Sequence, residues 1–396
     1  MQFPPKRECP FHPPDAYRNA RESEPVSRVT LWDGSRAWLF TRYDDVREIL
    51  GDPRFSPVAT RPGYPFVTEA RRAVLLGERP NINFMDPPEH TKFRRIVAPI
   101  FLAQKVSAMR PLVQSLVDNL VDAMEAKGPP ADLVDDFALE LPVHVIAHMV
   151  GVPVEQSEVF LEAAKARFDL SSDPSVPLRA AKQLWGYLDA HLALKEAEAE
   201  PSQDVTSKLA REQVQTGNIT RTDAIMILYQ LLVAGHDTSA NMISMGVLNL
   251  LRKQDQLAKL KADWTRLPGA VDELLRFISV LQFHAMRTAT EDIEVGGQVV
   301  RSGEGVIASL PAANRDPAVF QNPDVIDVER SARNHMAFSY GIHQCVGQSL
   351  ARMELEIAFE TLWRRFPNLA LAEPIDEITY GVSNLSFGPR TMKVGW

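Results

Sequence analysis

A lone cysteine carries the most chemistry in this chain. Cys345 lies in Phe338-Ser-Tyr-Gly341-Ile-His343-Gln-Cys345-Val-Gly347, just before the amphipathic run that starts at Gln348. Backbone N–H groups at a helix start and the positive end of its dipole stabilise a thiolate, which suits an axial metal ligand. Gly341 and Gly347 have no Cβ, so the backbone can pass close to a large flat object and adopt φ > 0. The same residue could also be a small apolar filler in a strand-to-helix turn.

A second set, Ala234-Gly235-His236-Asp237-Thr238-Ser239, puts an acid and an alcohol inside a long apolar helical run. Such breaks of local pattern cluster at functional sites. Thr238 can bond back to the carbonyl of Ala234, and Gly235 weakens the helix, so a bend that opens space for a small molecule is expected. Asp-Thr-Ser is also capping chemistry. Glu273 and Arg276 are spaced i, i+3, so carboxylate and guanidinium share a helix face. His90 and Arg94, at i, i+4, can reach one edge of a flat ligand. His144 and His148 share that spacing, but no acid or cysteine supports a zinc site there, and they read as ordinary helix residues.

The elements that must position these residues are mostly helical. Helical patterns run over 43–50, 89–101, 109–126, 143–150, 156–170, 178–199, 204–216, 221–251, 255–263, 267–277 and 348–366, and short strands are expected near 38–41, 293–295, 299–300 and 305–309. The expected fold class is mostly α with small β-sheets. The 396 residues are 45% hydrophobic, enough for two or three domains by size, yet no repeat or boundary interrupts them. Only two cysteines occur, Cys9 and Cys345, which fits a reducing compartment better than a disulfide framework. The proline-broken first residues do not read as a signal peptide, and no apolar stretch has the length of a membrane span. A cytoplasmic protein without a membrane anchor is expected. The formal net charge of -8 argues against nucleic acid as a partner.

The string F-x-x-G-x-x-x-C-x-G around Cys345 resembles the haem-binding loop of the cytochrome P450 family. Ala234–Ser239 resembles its A-G-x-[D/E]-T-[T/S] segment, Glu273-Leu-Leu-Arg276 its E-x-x-R, and 314–330 its connecting meander. The likeness covers nearly the whole chain and lies closest to actinobacterial-type hydroxylases of drugs and secondary metabolites. It implies a single P450 domain over 1–396, acting as a monomer, with haem b between the 224–251 helix and the Cys345 loop.

The resemblance also implies roles. Cys345 would ligate the iron, and Ala234, Gly235, Phe338, Gly341 and Gly347 would border the haem. His90, Arg94, Arg287 and His343 would hold its propionates. Asp237 and Thr238 would deliver protons during dioxygen activation, with O2 as co-substrate, while Glu273 and Arg276 would be structural. The substrate pocket would draw on 57–84, 156–170, 231–234, 280–284 and 382–385, with Phe84, Leu231, Ala234, Val280, Phe283, His284, Asn384 and Leu385 among its residues. It would take a medium-sized apolar or amphipathic small molecule. Electrons would come from NAD(P)H through a ferredoxin and its reductase, docking near Lys92, Arg95 and Arg352. The alternative is a nitric oxide reductase of the same fold that uses NADH directly, because Thr60-Arg-Pro-Gly-Tyr-Pro resembles a segment of fungal enzymes with that activity. Those enzymes lack the acid that this chain keeps at Asp237.

Overall fold

The computed structural model describes residues 1–168, 173, 175–200, 202–381 and 385–396. Its axis is the helix Arg221–Arg252, whose 32 residues span about 48 Å at 1.5 Å per residue. A capping box starts it: the Thr220 side chain accepts from the Asp223 N–H, and the Asp223 carboxylate accepts from the Thr220 N–H, which satisfies otherwise unpaired donors. The helix is apolar nearly all round, so it must be buried, and it packs on Glu140–Val150, Glu158–Phe168, Ser175–Ala197 and Gln348–Arg365. Ser244 and Asn249 satisfy their side chains within the helix by bonding to the carbonyls of Ala240 and Met245.

The helix continues through Gly235 without a break, from Arg221 to Arg252. Close packing bears on its glycines. A Cβ on Gly235 would lie 2.3 Å from Ile146 Cδ1, and one on Gly246 would lie 2.4 Å from Phe359 Cζ.

A five-stranded sheet flanks the helices in the order Val26–Thr30, Arg36–Phe40, Gly305–Ala308, Met286–Ala289, Phe55–Ser56. It is mixed: Arg36–Phe40 pairs in parallel with Gly305–Ala308, and the other neighbours are antiparallel. Arg287 sits opposite Val306 in this sheet. The strand expected near 38–41 is therefore Arg36–Phe40, with Val26–Thr30 as its hairpin partner.

Most expected helices are present with small shifts at their ends. The run 89–101 divides into an α-helix, Glu89–Val97, and a 3-10 turn, Ala98–Phe101, because Pro99 has no N–H for a continuing α-helix. The run 156–170 is the helix Glu158–Phe168; Leu170 lies outside the described residues. Two helices, Asp15–Ser23 and Glu69–Gly77, were not legible from periodicity. The first buries only Tyr17, so it has no apolar stripe to read. Among the described residues no single helix is long and apolar enough to cross a membrane.

Candidate active site

The loop before Gln348–Arg365 is shaped by its own backbone. The Cys345 N–H donates to the Phe338 carbonyl at 2.9 Å, which closes the turn. Gly341 has φ +73, and a Cβ there would lie 2.3 Å from the Leu50 carbonyl oxygen, so only glycine fits. Gly347, the N-cap of Gln348–Arg365, has φ -85 and does not need the left-handed region. Gly341 thus seats the loop against Leu50 and is not among the residues that line the cavity.

Cys345 lines a deep cavity between this loop and the central helix, together with Phe338, His343 and Gly347 below and Ala234, Gly235 and Thr238 above. Its accessible surface opens into that cavity, while the protein around it is dense enough to raise the thiol pKa by desolvation. The Gly347 N–H, Arg94 and Arg352 favour the thiolate, but burial outweighs them.

Four basic groups gather at one side of the cavity. Arg94 and His343 line it; the His90 ring lies 4.4 Å from that of His343, and Arg287 lies close enough to depress His343 further. His343 falls to about 3, first through desolvation and then through the charges of Arg287, His90 and Arg94. Burial also lowers His90, Arg94 and Arg287. His90 Nε2 and His343 Nδ1 are buried with no partner among the described residues, and Arg287 donates to the Met286 carbonyl. Two guanidinium groups and two imidazoles converge here, with Asp86 acting on His90 and Arg287, and an excess of donors of this kind fits an anionic group. A flat prosthetic group carrying carboxylates at one edge and an iron that accepts thiolate therefore matches these residues.

Above the cavity, Thr238 donates to the Ala234 carbonyl at 3.0 Å, as its spacing predicts. Asp237 does not line the cavity. Its carboxylate accepts from Asn241 Nδ2 at 3.1 Å, and Asn241 Nδ2 also donates to Ser386 Oγ at 3.0 Å, which places the serine beside the acid. Burial outweighs these bonds and pushes Asp237 up to about 6. Neither Asn241 nor Ser386 was legible as a site residue. Glu354 was missed too: buried in the helix Gln348–Arg365, it lines the cavity, bonds to Ser239, and is pushed by desolvation up to about 8. An acid between Met353 and Leu355 on a buried face was the available signal.

Of the expected pocket residues, Phe84, Leu231, Ala234, Val280, His284 and Leu385 line the cavity. Phe283 does not; it packs edge-on against Phe3 at 5.8 Å in the core. In place of the expected 156–170 region, the described wall is built by Ile146, Met149 and Val150. Residues 382–384, including Asn384, lie outside the described residues.

Glu273 and Arg276 are fully buried. Arg276 Nε and Nη2 donate to Glu273 Oε2 and Oε1 at 2.7 and 2.8 Å, and Nη1 donates to the carbonyls of Asn314 and Pro323. Asn314 Oδ1 in turn accepts from the Met336 N–H at 2.7 Å, which leads to the cysteine loop. Lys92 and Arg95 line a surface groove, but Arg352 is engaged: it donates to Asp272 at 2.7 Å and lies over Phe338. His144 pairs with Glu140 at 3.3 Å.

The cytochrome P450 family model matches residues 179–383. Cytochrome P450-SU2 of Streptomyces griseolus is 45% identical over 388 residues, covering 98% of this chain and 94% of the relative. The chain belongs to the cytochrome P450 family. The vitamin D3 dihydroxylase of Streptomyces griseolus is 40% identical over 395 residues, covering 100% of this chain and 96% of that P450. Among solved P450 structures, the mycinamicin VIII C21 methyl hydroxylase MycCI of Micromonospora griseorubida superposes with a TM-score of 0.94 at 36% identity, with complete coverage of both chains. The chain is accordingly a P450 monooxygenase of actinobacterial type, an oxidoreductase that uses haem iron and dioxygen on small molecules.

Proposed function

We propose that the chain hydroxylates a medium-sized apolar or amphipathic small molecule, with haem b held between the Arg221–Arg252 helix and the Cys345 loop. The convergence of His90, Arg94, Arg287 and His343 at the side of the cavity that Cys345 lines carries this reading. Cys345 would ligate the iron, and the four basic side chains would bind the two propionates. Bound haem with a thiolate ligand supplies dioxygen activation. Asp237 and Thr238 would move protons toward the cavity: Thr238 lines it, and Asp237, raised to about 6, exchanges protons readily near neutrality. Apolar side chains such as Leu231, Val280 and Leu385 would orient substrate and exclude water. We take residues 1–396 as one domain, because the central helix contributes to both large apolar clusters, and we take it to act as a monomer.

Electrons would come from a ferredoxin and its reductase, with Lys92 and Arg95, which line a surface groove, available for docking. The nitric oxide reductase reading rests on the segment 60–65, where Arg61 donates to Ser56 Oγ at 2.8 Å and pairs with Asp86 at 3.1 Å. The acid kept at Asp237 favours the monooxygenase. Rapid mixing of the ferric protein, equilibrated with nitric oxide, against NADH tests the choice. Slow or absent reaction is expected; fast reduction without another protein would overturn the proposal. Ferredoxin-dependent hydroxylation across a panel of candidate small molecules under air is the matching positive assay.

A further inference from the structure

The C-terminal stretch 385–389 links the cavity wall to the acid on the central helix. Leu385 lines the cavity, and its carbonyl accepts from the Gln282 N–H at 3.0 Å. Two residues on, the Phe387 N–H donates to the Val280 carbonyl at 2.8 Å, and Ser386 forms a bridge with Leu281. Val280 and Leu281 are themselves cavity residues. Between Leu385 and Phe387, the fully buried Ser386 turns its hydroxyl the other way, onto Asn241, whose amide also holds the Asp237 carboxylate. Alternation along an extended strand places neighbouring side chains on opposite faces, so one residue step separates cavity contact from the acid.

The surroundings leave this small cluster little room. A Cβ on Gly388 would lie 1.9 Å from Asn241 Oδ1, so the strand presses directly on the amide that holds Asp237. Phe387 is anchored behind it by the Tyr380 ring at 5.4 Å and the Arg7 guanidinium at 3.6 Å. With its back fixed, the strand can transmit a displacement of Leu385 to Ser386 better than it can absorb one.

We propose that Ser386 is a positioning residue, through which contact of a bound small molecule with Leu385 sets the hydrogen bonding of the Asp237 carboxyl. This rests on the proton-delivery reading of Asp237 given above and adds how substrate regulates it. Asn241 donates to the Asp237 carboxylate, the Ser386 hydroxyl accepts from that same amide and so steadies it, and Lys165, on the helix Glu158–Phe168, faces it with positive charge; all three favour ionisation, while burial opposes it. Losing the Ser386 hydroxyl therefore keeps Asp237 protonated to higher pH, and a shift on the order of one unit is expected.

The test is carboxyl-region infrared difference spectroscopy of the substrate-free, haem-loaded ferric protein across pH, with the Asp237→Asn variant used to assign the band. Ser386→Ala should raise the Asp237 midpoint by about one unit, and Ser386→Thr, which keeps the hydroxyl, should restore it. Leu385→Ala, which alters only the cavity side, should move the midpoint as well. An unmoved midpoint in Ser386→Ala overturns the positioning role, and an unmoved midpoint in Leu385→Ala overturns the link to cavity contact. Neither result depends on turnover. If Asp237→Asn instead left turnover and its solvent isotope effect unchanged, the proton-delivery reading would fail separately.

Discussion

Replacing Arg276 with methionine removes a clamp whose parts can be weighed one by one. Taking one partner from a fully buried ion pair costs about 3–5 kcal/mol, because the other charge is left without compensation. Arg330 still approaches Glu273 Oε1 at 3.1 Å, which places the loss near the lower end. The Asn314 and Pro323 carbonyls also lose their donor, at about 1–3 kcal/mol each when no water replaces it. The sum is a large share of a typical stability of about 5–15 kcal/mol. Domains of 150–250 residues lose roughly 2–4 °C per kcal/mol, and a longer chain less, so a fall in Tm on the order of 5–15 °C is expected. The cysteine loop should fail first. Asn314 holds Met336, the Met336 carbonyl accepts from Ser339, and the Phe338 carbonyl accepts from Cys345. Below its Tm, the reduced carbonyl complex of Arg276→Met should therefore lose part of its thiolate-type absorption. Glu273→Leu combined with Arg276→Met removes both charges but leaves the carbonyls unpaired, so it should recover only part of the stability. A Tm within about 2 °C of wild type with an unchanged carbonyl spectrum would refute the clamp, and full recovery in the double variant would refute the carbonyl contribution.

Cys345→Ser should abolish the red-shifted absorption of the reduced carbonyl complex while far-ultraviolet circular dichroism stays helical; retention of the band would remove Cys345 as the iron ligand. Arg287→Ala should weaken haem retention by roughly 1.5–3 kcal/mol, the worth of one charge-assisted bond, read as about a 10- to 100-fold faster loss of haem to an acceptor protein; unchanged loss would count against propionate binding. Asp237→Asn should slow turnover yet stabilise the fold at neutral pH. The folded pKa of Asp237 is raised to about 6 from 3.8, so wild type is favoured below pH 4 and loses that stability as pH rises to 6. The Asn variant's advantage should therefore be absent near pH 4 and reach about 3 kcal/mol at most above pH 6; pH-resolved denaturant titrations that run parallel for the two proteins would refute the burial argument.

The sequence made legible the residues whose chemistry breaks a local pattern. Cys345 between glycines, Asp237-Thr238 in an apolar helix and the Glu273–Arg276 spacing stand out without tertiary information, and the structure brings each to the cavity or its support. What stayed hidden depends on partners distant in the chain. Asn241 resembles any polar residue on a helix until Ser386, 145 residues later, meets it. Arg352 looks like a free surface cation because Asp272 lies 80 residues away. Phe283 is as apolar as its cavity-lining neighbours, and only the approach of Phe3 assigns it to the core. Gly235 was read locally, through helix propensity, whereas Ile146 on another helix packs where its Cβ would lie.

One physical cause unites the polar residues at the site. Desolvation raises Asp237 to about 6 and Glu354 to about 8, lowers His343 to about 3, and raises the Cys345 thiol. Near neutrality the surroundings thus favour neutral Glu354, His343 and Cys345, while Asp237 lies within reach of either state. Arg94 and Arg287 keep their charge, since a guanidinium cannot readily give up its proton. The region therefore retains positive charge beside the cavity floor and exchangeable protons around the central helix. Folding alone would favour apolar side chains of similar volume at several of these positions. A chain that keeps ionisable groups there, against desolvation and each other, has a cavity whose composition is set by what it must hold and protonate.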